Sequence, residues 1–85
     1  MYDWEFVPEA TAAFARLSYE DAMAVANVVA EIAQDPWGYG RDPSEPTDSH
    51  HAHRTVSAAD GRAIVTFLII DQRATIYITS IAWLG

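Results

Sequence analysis

The chain has no cysteine and no lysine, and its longest largely apolar run, Ala63 to Ile70, is eight residues and includes Thr66. Each absence excludes something. Without cysteine there is no disulfide framework and no thiolate metal site, which fits a reducing, cytoplasmic setting. A spanning helix needs about twenty apolar residues, so no membrane segment is expected. The start, MYDWEFVPE, lacks the basic and apolar regions of a signal peptide. All basic charge rests on five arginines against twelve acids, giving −7. Arginine without lysine, beside fifteen alanines, is what a GC-rich bacterial coding sequence yields.

The charge is uneven. Residues 1–48 hold ten acids and two arginines, and residues 49–85 hold two acids and three arginines. An acidic total argues against extended non-specific nucleic-acid binding, which depends on neutralising phosphates. It leaves room for a local basic patch in the second half. With 85 residues and half of them apolar, one domain with one core is expected.

Tyr2 to Val7 alternates aromatic and acidic residues, the pattern of a half-buried strand. Pro8 suits a first helical position, and Ala10, Ala13, Phe14 and Leu17 form one helical stripe. Ser18 and Asp21 mark the start of a second helix, with Ala22, Val25, Val29, Ile32 and Ala33 inward. Asp35-Pro36 ends it, since proline disfavours helical geometry in the residue before it. Residues 36–49 hold three of the four prolines and read as a long loop. Trp37 and Tyr39 within it either stack on bases or cover the core, and covering is the favoured reading. Three strands follow: 51–57, 62–70 and 75–84. The middle one reads as buried on both faces. Asp60-Gly61 reads as the first hairpin turn, and Asp71-Gln72-Arg73 as the second. The order is β-α-α-β-β-β: an α+β fold with a two-helix layer on one face of an antiparallel sheet.

All three histidines fall in HHAHR, residues 50–54. On a strand His51 and His53 share a face, so they could hold one metal with Asp48, but that set is short of a zinc site. Histidine also moves protons near neutral pH, and arginine grips phosphate through two parallel bonds. Arg54 and Arg62 flank one hairpin and are expected to face one patch. The alternative is a polar edge-strand start that discourages edge-to-edge pairing.

The pattern R-x-V-x4-G-R-A-I-V-x-F-x-I-x-D over residues 54–71, then I-x-I-x-x-I over 76–81, resembles the RelE/ParE toxin superfamily. So does the strand and helical pair ending in Asp-Pro. The resemblance implies a toxin neutralised by an antitoxin protein. In its RelE-like form it implies metal-free cleavage of mRNA at the ribosome, without a cofactor. The ribose 2′-OH attacks the adjacent phosphate. Carried over by position, Arg62 and Arg54 would hold that phosphate, and His53 or His51 would move the proton. A ParE-like gyrase inhibitor is a further member type. The acidic charge and the ending at Trp83-Leu84-Gly85 instead favour a non-catalytic interaction module on the same fold. Such a module would bind along a sheet edge or helical face. An open sheet face is also one that a second copy can cover, giving a homodimer.

Overall fold

The computed structural model describes residues 1–40 and 51–84. Strand β1 spans Asp3–Phe6, helix α1 Pro8–Ala15 and helix α2 Tyr19–Gln34. A short 3-10 turn covers Pro36–Gly38, inside the segment expected to be loop throughout; residues 41–50 of that segment lie outside the described residues. Strands β2 (His51–Ala58), β3 (Ala63–Ile70) and β4 (Thr75–Trp83) follow, with a second 3-10 turn at Asp71–Arg73.

The helices start where local chemistry sets them. Val7 is extended, at φ −70° and ψ 159°, and Pro8 supplies the first helical φ of α1. Ser18 caps α2, its hydroxyl accepting from the Asp21 amide at 3.2 Å. Glu20 and Asp21 add negative charge at the positive end of that helix. Val25, Val29, Ile32 and Ala33 are its buried side, as the spacing predicts. No described helix is long and apolar enough to cross a membrane.

The sheet order is β1-β4-β3-β2. β2, β3 and β4 pair antiparallel, as expected, but β1 lies parallel to β4. The sheet is therefore mixed. The helical pair carries the chain between β1 and the meander, a crossover of the length that parallel neighbours require. Along β3 fully buried and half-exposed positions alternate, so one face is covered and the other is open. The expectation of burial on both faces was too strong, because the two helices cover a single face. Ala63, Val65, Phe67 and Ile69 meet Val25, Val29 and Ile32 in the core, with Ile76 and Ile78 from β4. A bulge on β4 between the pairs Phe67–Ile78 and Thr66–Ser80 shifts the alternation, so that Ile81 points inward after Ile78.

The first hairpin turns one residue earlier than the Asp-Gly pair suggests. Ala59, Asp60 and Gly61 all have positive φ, at 54°, 56° and 85°. Ala58 still pairs with Ala63, so the loop must reverse within four residues. Ala74, at φ 46°, ends the second turn in the same left-handed region.

Candidate functional site

Arg54 points to the helical side of β2 and is 4% exposed. Its Nη1 donates to the carbonyl oxygens of Trp37 at 2.7 Å, Tyr39 at 3.0 Å and Pro36 at 3.4 Å. The guanidinium also lies 5.0 Å from the centre of the Trp37 ring. The carbonyls of Trp37 and Tyr39, past the last turn of α2, are met by a buried cation; that of Pro36 also accepts from the Tyr39 amide, at 3.3 Å. Gly40 then passes against β2. A Cβ on it would stand 2.6 Å from the Thr55 carbonyl oxygen, so this close approach requires glycine.

A second set of bonds closes the same corner. The Tyr2 hydroxyl donates to Asp71 Oδ1 at 2.5 Å, and Trp37 Nε1 lies 3.2 Å from both that oxygen and the Tyr2 hydroxyl. The carboxylate beside it holds the Tyr2 hydroxyl above its ordinary pKa, with burial adding to the effect. Trp37 therefore covers the core and binds it to the start of the chain and to the β3–β4 turn, as the covering reading expects.

His53 points the other way. It lies on the open face, exposed, with Nε2 3.0 Å from Thr79 Oγ1. Thr79 in turn donates to the Thr66 carbonyl oxygen at 3.3 Å. His51 opens β2 opposite Ile70. His50 and Asp48 lie outside the described residues. Among the described residues no group of three or more histidines and acids could hold a metal ion.

Arg62 is at the hairpin end of the sheet. Its Nη2 stands 3.4 Å from Asp21 Oδ1, its Nε donates to the Ala59 carbonyl at 3.0 Å, and its guanidinium is 5.5 Å from the Trp83 ring centre. Asp21 is in the first turn of α2, whereas Pro36 to Tyr39, which hold Arg54, follow its last turn. Sixteen helical residues span about 24 Å. The two arginines therefore do not face one patch, contrary to the expectation from the hairpin. Arg54 lies five residues before the turn at Ala59, and alternation places it with Ala52 and Ala58 on the inward side of β2. His53, one residue away, must then face outward.

The open face among the described residues includes His53, Thr55 and Ser57 on β2, Ile64, Thr66, Leu68 and Ile70 on β3, Thr75, Tyr77, Ser80 and Ala82 on β4, and the acidic Asp3 and Glu5 on β1. No described strand residue on this face is an arginine. The sequence-predicted residues are thus distributed over three places: a buried corner, a hairpin end and an uncovered face.

No sequence motif marks the remaining feature. β1 is an edge strand, and between it and the helices runs an open groove of about 650 Å³. Trp4, Phe6, Phe14, Ala26 and Val29 line it, with Glu5 and Thr11. Trp4 is 50% exposed although its ring is 5.6 Å from that of Phe6, which meets Phe14 edge-on at 5.3 Å. Asp3 and Val7 donate their amides toward β4. Alternation then turns the Trp4 and Phe6 amides to the outer edge. The aromatic–acidic alternation of residues 2–6 was the available signal; that it formed an edge depended on the strand order.

No protein-family model matches the chain, and no curated protein sequence does. Solved structures do. The chain is similar to a chain of the intact E. coli RelBE toxin–antitoxin complex, with a TM-score of 0.78 and 12% identity over 100% of this chain and 99% of that one. It is similar to the isolated E. coli RelE toxin, with a TM-score of 0.80 and 12% identity over 100% and 86%. It is also similar to a chain of the archaeal RelE–RelB complex from Pyrococcus horikoshii OT3, with a TM-score of 0.67 and 14% identity over 99% and 96%. At such identities what is shared is the path of the backbone, and by that path this chain has the RelE fold.

Proposed function

We propose that this chain is the toxin-fold member of a toxin–antitoxin pair, held by an antitoxin-type protein along β1 and its groove. The observation that carries this is the edge strand β1 beside the aromatic groove of Trp4, Phe6 and Phe14. An outward row of backbone groups accepts an added strand, and the adjacent groove accepts apolar side chains from it. Asp3, Glu5 and Glu9 lie on or beside β1, so a basic, apolar partner segment fits best. Two of the similar structures are complexes of a RelE protein with RelB, which supports a protein partner for this fold.

The test is co-expression with a candidate antitoxin-type protein from the same genome, followed by capture on a tag. The parent chain should retain its partner, and a folded Trp4→Asp variant should lose it. Retention by that variant at parental strength would place the partner elsewhere.

A second reading is RNA cleavage, and it rests on His53. That imidazole is exposed on the uncovered face, open to a substrate, and could take the proton from a ribose 2′-OH. Arg62, whose side chain is half exposed, would have to leave Asp21 to meet a phosphate there. Arg54 has no such freedom. Induction in a bacterial host separates the readings. Growth arrest with mRNA cleavage, relieved by His53→Ala, supports an endoribonuclease. Unchanged growth with the parent chain folded leaves partner binding as the function.

A further inference from the structure

At the end of the helical pair away from Trp37 there is a second cavity, of about 380 Å³. Ala13, Arg16, Leu17, Ser18, Asp21, Ile81 and Trp83 line it. Its volume falls in the range of small-molecule sites. Its charge is unlike that of the rest of the molecule. The protein carries −7, yet Arg16 lines this cavity and Arg62 reaches it through Asp21 and Trp83. Only Asp21 opposes them there; Glu9 lies beyond Arg16 in an adjoining hollow. Asp21 is engaged with Arg62. The Arg16 guanidinium has no hydrogen bond, ion pair or ring contact among the described residues. Among the described residues one cationic fork that lines this cavity therefore stands without a partner.

The walls define the rest of a ligand. The Trp83 ring is 40% exposed and takes Arg62 on one side. Leu17, Ala13 and Ile81 give it an apolar lining. A flat ring can lie against Trp83 and this apolar lining while a planar anion meets the Arg16 fork. We infer that this cavity binds a small aromatic carboxylate, its ring against Trp83 and Leu17 and its carboxylate on Arg16. One negative charge matches the one uncompensated arginine. A more highly charged ligand would meet Asp21 and Glu9.

Indole-3-acetate is a suitable probe, with its neutral amide and inorganic phosphate as controls. The readout is the two-dimensional amide spectrum of the full chain. Saturable shifts should appear at the Trp83 indole and at the Ser18 and Asp21 amides. Arg16→Gln, at an exposed position, should keep the parental spectrum and weaken binding by about tenfold or more. The neutral amide should bind about tenfold more weakly for the same reason. Trp83→Leu should also weaken the probe. Absence of saturable shifts at millimolar probe overturns the inference. So does binding that is equal in Arg16→Gln, equal for the neutral amide, or matched by phosphate alone.

Discussion

The Nη1 atom of Arg54 lies 2.7 Å from the carbonyl oxygen of Trp37, and the ring of the same tryptophan lies 5.0 Å from the guanidinium. One residue of the 3-10 turn thus receives the arginine twice, through its backbone and through its π face. The arginine fixes the way the chain leaves α2. A buried guanidinium occupied in this manner holds structure and is not available to a substrate.

Removing it should therefore cost stability. Arg54→Ala leaves the carbonyls of Pro36, Trp37 and Tyr39 without this donor and opens a cavity beneath Trp37. A loss of roughly 3 kcal/mol is expected, measured by urea unfolding. Arg62→Ala should change stability by less than about 1 kcal/mol, because an ion pair with half its arginine in water is screened. Equal losses would contradict the separate roles given to the two arginines.

Ala74 supports a prediction of opposite sign. It sits at φ 46° and ψ 47°, where a Cβ is crowded by its own backbone. Ala74→Gly should raise stability by about 0.5–1 kcal/mol despite the greater freedom of the unfolded chain. Thermal unfolding reads this directly. A lower midpoint would show that Ala74 makes contacts worth more than its strain.

The Tyr2–Asp71 bond predicts an alkaline limit. The Tyr2 hydroxyl titrates higher in the folded chain than when unfolded, because it donates to Asp71. Its contribution is fully present below the unfolded tyrosine pKa, about 10, and is lost as pH rises through the folded value. Tyr2→Phe should cost roughly 0.5–1.5 kcal/mol at neutral pH and flatten the loss above that point. Parallel pH curves for parent and variant would rule out this contribution.

His53 should be nearly silent in folding. It is exposed, and among the described residues its side chain is hydrogen-bonded to Thr79. His53→Ala should shift stability by no more than about 0.5 kcal/mol, as surface changes do. A larger loss, in the same urea measurement, would make the His53–Thr79–Thr66 chain a structural element.

Much of the fold was legible because periodicity and punctuation agreed. Pro8, Ser18 and Asp35-Pro36 bound the helices, and the inward stripe of α2 follows from its spacing. The place of β1 was not legible. A four-residue strand alternating aromatic and acidic residues does not reveal whether its neighbour runs parallel or antiparallel. The candidate site was legible as residues but not as an arrangement. Arg54 and His53 are adjacent in sequence, and adjacent strand residues face opposite ways. Which of them faces the helices depends on register with Phe67 and Leu68, set by the whole hydrophobic pattern of β3. Arg62 lies past the strand in a turn of three left-handed residues, whose geometry sends it to Asp21.

A partner strand added to β1 would take up the outward amides of that strand. Amide hydrogen exchange on this chain with and without a captured antitoxin-type partner tests this most directly. Slowed exchange at Trp4 and Phe6, whose amides face the outer edge, is the predicted result, with the β2 edge unchanged. Protection confined to β2 or to the open face around His53, with Trp4 and Phe6 exchanging as in the free chain, would contradict it.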